Sequence, residues 1–330
     1  MKILFIGGTG VISSACSELA VASGFDLYLL NRGQSALRPT PPTAQILCAD
    51  IRDKKAAEKA LEGHIFDVVV NWVAYTPEHI ETDLELFRGK IGQYVFISSA
   101  SAYQTPPSSL PVTESTLLDN PFWDYSRAKI ACEERLLQAY RDEKFPVTIV
   151  RPSHTYDPTK LPVHGGYTAI ARMMQGKPVI VHGDGTSLWT LTHHIDFAPG
   201  FVGLLANHQA IGQAYHITTN EVLTWNQIFA LLAQAAGVEA KLIHIPSEFI
   251  AAFDAEWGAG LLGDKAHSMI FDNSKIKRLA PNFAPGIPFS RGAKEIINWY
   301  NADPARQVVD ESLDRRMDEI IAAYKSAWPR

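Results

Sequence analysis

Residues 3–13 read ILFIGGTGVIS, an apolar run entering a G-x-x-G-x-x-S turn that opens a helix-forming stretch. No other feature constrains the fold as strongly. A strand, a tight turn and a helix N-terminus in this order point backbone N–H groups to where a pyrophosphate can sit. Gly7 permits the turn, and Gly10 lets the backbone approach the phosphates. Val11 and Ile12 begin the helix beside them. Ser13 stands where a third glycine usually allows close helix–strand packing. A motif this short takes its meaning from its context in the chain.

Apolar strands and helical stretches alternate after the turn. Strands are expected at residues 2–6, 26–30, 44–48, 68–70, 94–97 and 147–150, with helices over 13–23 and 54–62. Short continuous apolar runs suit parallel strands buried on both faces. The pattern predicts an α/β fold, a doubly wound Rossmann-type parallel sheet with a smaller mixed α/β C-terminal substrate domain. Residues 1–157 are expected to form the dinucleotide-binding domain and 158–330 mainly the substrate domain, with segments around 186–222 packing back on the first. Pro152, Pro158, Pro162, Gly165 and Gly166 mark the change of texture. Helices are expected near 167–175, 196–206 and 225–236, and short strands near 179–181 and 214–217. The stretch 246–271 is aromatic and glycine-containing and gives no clear period. Val309, Leu313, Met317, Ile320, Tyr324 and Trp328 fall at helical spacing and predict a terminal helix packed on its own domain.

Charge and cysteine content exclude several classes. The net charge is −5 over 330 residues, with no basic run, so no nucleic-acid partner is expected. Three cysteines, Cys16, Cys48 and Cys132, are too few and too scattered for a disulfide framework or a zinc site. No apolar run reaches the roughly 18 residues of a membrane span. With the first strand expected from Lys2, no signal peptide is expected. A cytoplasmic monomer or homodimer acting on a small molecule is expected.

The second strand ends in Leu30-Asn31-Arg32-Gly33, without the carboxylate that normally holds the ribose 2′-OH of NAD. Asn31 does not repel a phosphate and Arg32 can pair with one, so NADP is favoured over NAD. Asp50-Ile51 follows the third strand, where a carboxylate and an apolar side chain can hold an adenine. Asn71, Val73 and Ala74 end the fourth strand, close to the path of a dinucleotide.

Three Tyr-x-x-x-Lys pairs occur: Tyr125/Lys129, Tyr140/Lys144 and Tyr156/Lys160. Residues four apart share one face of a helix. Pro158 breaks the third pair, and the second lies where a helix runs out before Phe145-Pro146. Tyr125/Lys129 opens a helix with good apolar periodicity and follows a hydroxyl-rich strand end, Ser98-Ser99-Ala100-Ser101. An ammonium one turn from a phenol lowers the phenol's pKa and makes Tyr125 a usable acid/base, while Lys129 can also orient a nicotinamide ribose.

With these features in place, the chain resembles the extended short-chain dehydrogenase/reductases, the NAD-dependent epimerase/dehydratase superfamily. The resemblance rests on Gly7-Gly-Thr-Gly10, the stretch 98–103, Tyr125-x-x-x-Lys129, Arg151-Pro152-x-x-x-Tyr156-x-Pro158 and His193-His194-Ile195-Asp196. It implies Ser99 as the catalytic hydroxyl, Tyr125 as the acid/base and Lys129 as ribose ligand. Three departures concern the substrate. Ala100 and Ser101 stand where family dehydratases carry an Asp-Glu pair. His154 replaces an asparagine that often touches substrate. Trp189 falls where nucleotide-sugar enzymes often have an arginine, although Arg172 can substitute. A planar indole cannot grip a diphosphate, but it stacks on a sugar ring.

Tyr75, Ser101, Tyr103, Trp123, His154 and Trp189 are therefore the candidate substrate wall. Asp264-Lys265-x-His267 is a candidate closing loop. His193, His194 and Asp196 are expected to be structural, with no metal. The expected function is an NAD(P)-dependent epimerase or oxidoreductase acting at a carbinol carbon of a sugar-like substrate. The alternative is a catalytically silent dinucleotide-sensing or RNA-binding regulator on the same fold.

Overall fold

The computed structural model describes residues 1–34 and 37–327. Trp328, the last position of the terminal apolar pattern, lies outside the described residues. Seven parallel strands form the central sheet. They are β1 (Lys2–Ile6), β2 (Asp26–Asn31), β3 (Gln45–Cys48), β4 (Val68–Asn71), β5 (Gln93–Ile97), β6 (Val147–Pro152) and the strand Ala214–Ile217. Their spatial order is Ala214–Ile217, β6, β5, β4, β1, β2, β3. The order reverses between β1 and β4, so a ligand crevice opens at the carboxyl ends of those two strands. The Rossmann-type fold expected from the alternation is thus present, with strand limits within a residue or two of the expected ones.

Continuous apolar runs work here because both faces of the sheet are covered. Phe5, Leu29 and Val70 pack under the helices Val11–Ala22 and His194–Val202, through Ala15, Cys16, Ala20, Phe197 and Phe201. Leu4, Ile6 and Val69 face the opposite layer, where Ile80 and Leu84 of helix Pro77–Phe87 and Cys132 and Leu136 of helix Asp124–Glu143 complete the core. Helix Pro77–Phe87 is additional to the elements expected from sequence. Its start signal, Thr76 at the cap followed by proline, is present in the sequence.

Three two-stranded pairings lie beyond the sheet and carry later residues to its carboxyl edge. His154–Tyr156 runs parallel to Leu191–His193, Leu188–Trp189 pairs with Leu223–Thr224, and Pro178–His182 pairs with Lys241–Ile245. The stretch without a clear period is helical at Ser247–Phe253 and Ala255–Gly260, then forms a π-helical turn at Leu261–Lys265. The terminal helix Glu311–Ser326 buries Met317, Ile320 and Ile321 against Ile180, Ile245, Ile250, Trp257 and Leu261.

One buried charge sits behind the crevice. Asp83 is fully buried, accepts hydrogen bonds from the Tyr94 hydroxyl and from Asn71 Nδ2 (2.5 Å), and among the described residues leaves Oδ1 without a partner. Burial outweighs both bonds and pushes its carboxyl up to about 6. The native state therefore keeps a proton that the unfolded chain releases. The associated stability is full below the ordinary carboxyl value and is lost as pH rises through about 6. Wild-type protein is expected to lose up to roughly 3 kcal/mol relative to Asp83→Asn across that interval. Thermal unfolding midpoints of the two proteins from pH 4 to pH 7 check this, and parallel curves would contradict it.

Candidate active site

The glycine turn is built as its sequence requires. Gly7 and Gly8 take φ of +101° and +103°, in the region open to glycine. A Cβ on Gly8 would lie 2.7 Å from Leu29 Cδ2, and the Gly8 carbonyl accepts from the buried Ser17 hydroxyl. Ser13 fits the third glycine's place because its side chain folds back and accepts from the Gly10 N–H at 2.7 Å. No acidic residue occupies the first turn of helix Val11–Ala22, so its N-terminal field is free to act on an anion.

Beside this turn lies a cavity of about 670 Å³. Gly7, Asn31, Arg32, Asp50, Ile51 and Val73 line it, as the sequence suggests. Thr9, Arg52, Tyr75 and His79 line it as well. Arg52 reaches across to donate to the Val73 carbonyl. Its place directly after Asp50-Ile51 is the signal that could have found it. Asn71 is buried behind the wall, where its Oδ1 accepts the Val73 N–H at 2.8 Å and shapes the segment that does line the cavity. These residues fit a dinucleotide: a turn that excludes side chains, an open helix N-terminus and a cavity carrying two guanidinium groups.

Helix Asp124–Glu143 brings Tyr125 and Lys129 to the same edge. Lys129 is buried, and its ammonium donates to the carbonyls of Ala74 (2.6 Å) and Ile97 (2.8 Å). It also lies over the Tyr75 ring at 4.7 Å and the Phe96 ring at 4.9 Å. Burial lowers its pKa to about 8. The Tyr125 phenol is raised by burial to about 12, with a hydrogen bond to Ser99 pulling the other way. The expected lowering of Tyr125 by Lys129 is therefore corrected. The ammonium gives two of its three donors to main-chain carbonyls, and desolvation decides the phenol. One turn behind, Glu133 makes a buried ion pair with Arg151, at 2.6 Å to Nη2, and ties the helix to the end of β6.

Ser99, Ser101, Trp123, Tyr125, His154 and Trp189 all line a second cavity, of about 240 Å³. Ser99 Oγ lies 2.9 Å from Ser101 Oγ, which in turn accepts from Ser126 Oγ at 2.8 Å. The Trp123 ring is 4.9 Å from that of Tyr125, and His154 meets Trp189 edge-on at 6.1 Å. Burial lowers the pKa of the His154 imidazole. Asp264, part of the loop singled out in the sequence, also lines this cavity, 3.9 Å from His154 Nδ1.

Two expectations about the substrate wall change. Tyr103 is fully buried, with Arg151 over its ring at 4.8 Å and its hydroxyl 3.0 Å from His216 Nδ1. It belongs to the core and does not reach the cavity. Tyr75 faces the cavity beside the glycine turn, its ring 6.4 Å from that of Tyr125. Arg172, the possible replacement for a phosphate-gripping arginine, is buried in contacts with Asp314 (2.5 Å) and Asp318 (2.6 Å) and is not free for a ligand. His193 is buried against Glu295 at 2.9 Å, and Asp196 accepts the N–H groups of Gly286 and Ile287. Among the described residues no group of three or more side chains is arranged to hold a metal.

A Rossmann-type sheet with its glycine turn, and a Ser–Tyr–Lys group on the same carboxyl edge, defines a dinucleotide-dependent enzyme of the extended short-chain dehydrogenase/reductase type. The chain belongs to the NAD dependent epimerase/dehydratase family, whose model matches residues 3–218. It is 27% identical to a 2′-dehydrokanamycin reductase of Streptomyces kanamyceticus, over 99% of this chain and 92% of that one. It is 29% identical to the chloroplast stem-loop binding protein of 41 kDa b of Arabidopsis thaliana, over 98% of this chain and 85% of that one. Among solved structures, UDP-glucuronic acid 4-epimerase from Bacillus cereus, in complex with UDP-glucuronic acid and NAD, matches with a TM-score of 0.73. That match has 22% identity and covers 92% of this chain and 99% of the other. Among the described residues no helix is long and apolar enough to cross a membrane.

Proposed function

We propose that the protein is an NADP-preferring oxidoreductase that interconverts a carbinol and a carbonyl on a sugar-like, nucleotide-free substrate. The observation that carries this reading is the 240 Å³ cavity in which Ser99 and Tyr125 face His154 and Trp189. A bound nicotinamide supplies or takes up the hydride equivalent. The residues of this chain do the rest. Ser99 hydrogen-bonds the reacting oxygen. Tyr125, which carries its proton at neutral pH with its phenol near 12, donates that proton to the oxygen in the reducing direction. Lys129 holds the helix in register and offers its ammonium to the nicotinamide ribose. Gly7, Gly10, Val11 and Ile12 receive the pyrophosphate, Asp50 and Ile51 the adenine, and Val73 and Ala74 the chain between them, with Asn71 shaping that segment from behind.

The relative whose name is 2′-dehydrokanamycin reductase supports a reductase acting on a glycoside without a nucleotide. The engagement of Arg172 and the buried Trp189 support it independently, because neither leaves a bidentate cation for a diphosphate. Epimerisation would use the same residues and differs only in returning the cofactor unchanged. The stem-loop-binding name of the Arabidopsis relative keeps an RNA-binding alternative in view. The net charge of −5 and the retained Ser99, Tyr125 and Lys129 favour the enzyme.

Tyr125→Phe is expected to lower kcat for NADPH-dependent reduction of keto sugars by about 10²- to 10⁴-fold while leaving NADPH binding unchanged. Absorbance at 340 nm and NADPH fluorescence read the two quantities. A variant that retains most of its activity would refute the acid/base assignment. Arg32→Ala and Arg52→Ala are each expected to weaken NADPH binding about tenfold and to leave NADH binding unaltered. Equal losses for both cofactors would show that neither guanidinium reads the 2′-phosphate.

A further inference from the structure

The catalytic cavity does not end at His154. A larger one, of about 450 Å³, opens beside it and shares Trp123, His154, Lys160 and Pro162 with it. At about 240 Å³, the first cavity is smaller than the roughly 300–1,000 Å³ of ordinary ligand sites. It suits a single ring, and anything attached to that ring must enter the second cavity.

The second cavity has aromatic walls. His164 and Trp257 stack at 4.0 Å with their planes 8° apart, and Trp225 and Phe229 form another side. Flat aromatic faces suit the C–H face of a pyranose. Its own charges balance, two carboxylates against two lysines. Asp254 and Glu256 line it, and Asp264 stands on the catalytic side of the neck. The cations are Lys160 and Lys265, and Lys265 is already bound to Asp264 Oδ2 at 3.0 Å. Burial lowers the pKa of His154, His164 and His182 and so disfavours their charged forms. No arginine lines either cavity among the described residues.

Asp264 is held in place by its backbone. It belongs to the π-helical turn Leu261–Lys265, and such turns recur at functional sites. A Cβ on Gly263 would lie 2.7 Å from Trp123 Cβ, so only glycine lets the turn dock there. Asn120 Nδ2 donates to the Gly263 carbonyl at 2.6 Å and fixes the contact. Asp264 Oδ1 accepts no hydrogen bond among the described residues, which leaves one carboxylate oxygen open beside the neck.

We propose that the 450 Å³ cavity is a subsite for a second sugar ring of the substrate, and that Asp264, with Asp254 and Glu256, makes it select amine-bearing rings over phosphorylated ones. This rests on the reading of a sugar-like substrate at Ser99 and Tyr125. A diphosphate there would meet the carboxylates of Asp254 and Glu256, with Lys265 already paired to Asp264 and Lys160 left to face it. An ammonium would meet open carboxylate oxygens, with the stronger hydrogen bonds that charge provides.

The test is equilibrium binding to the full chain without turnover, read by quenching of tryptophan fluorescence at pH 6.5. The probes are β-1,4-linked diglucosamine, cellobiose and uridine diphosphate. Diglucosamine is expected to bind about tenfold more tightly than cellobiose, and uridine diphosphate more weakly than either. Asp264→Asn is expected to bring the two disaccharides to within about twofold, and Trp257→Ala to weaken both. Asp264→Asn keeps the shape of the side chain, so it remains informative if Trp257→Ala fails to fold. Tightest binding of uridine diphosphate, equal affinity for the two disaccharides in the wild-type protein, or no saturable binding of either would overturn the proposal. Binding does not depend on proton transfer by Tyr125. Failure here leaves the oxidoreductase reading intact, and an inactive Tyr125 would leave this result untouched.

Discussion

The ammonium of Lys129 holds the site in register. It joins a carbonyl just past β4 to the last carbonyl of β5, both at hydrogen-bond distance, from the second turn of helix Asp124–Glu143. A buried ammonium is costly unless its donors are paired. The two carbonyls and the Tyr75 and Phe96 rings supply the compensation. Once Lys129 is fixed, Tyr125 one turn earlier must lie beside Ser99 at the end of β5. The Arg151–Glu133 pair secures the same helix to β6. Tyr125 is thereby fixed from both sides before any ligand arrives.

The same arrangement separates two chemical environments. On the side of β1 to β4, glycines, a helix N-terminus and the guanidinium groups of Arg32 and Arg52 make a cavity suited to anions. On the side of Trp189 and Trp225, histidines, indoles and carboxylates make one suited to rings. Tyr125 lines the substrate cavity, and Tyr75, 6.4 Å away ring to ring, lines the cofactor cavity. The boundary between the two cavities therefore falls at Tyr75 and Tyr125, where the proposed hydride transfer takes place.

Much of this was legible in the sequence because it is written in local patterns. The turn at Gly7–Gly10, the buried strands and the choice of Tyr125/Lys129 over two rival pairs all depend on residues close together in the chain. The features that were not legible depend on contacts between distant segments. Tyr103 carries the right residue type in the right stretch. Only the approach of Arg151 and His216 shows that it is core. Asp264 stands out in the sequence only as part of a candidate closing loop, because a π-helical turn matches neither the α-helical nor the strand period. The Gly263 carbonyl beside it is held by Asn120, 143 positions earlier in the chain. The phenol's pKa departs from expectation for a related reason. Spacing shows that an ammonium is near, but not that two carbonyls have already claimed it.

The central claim is that one carboxyl edge presents a dinucleotide, through Lys129 and Tyr125, to the cavity bounded by Ser99, His154 and Trp189. A crystal structure of the protein with NADP⁺ tests it most directly. The account predicts the nicotinamide ring closing the open side of that cavity, its ribose on Lys129 and the 2′-phosphate between Arg32 and Arg52. A nicotinamide lying outside the cavity, with its ribose away from Lys129, would contradict it.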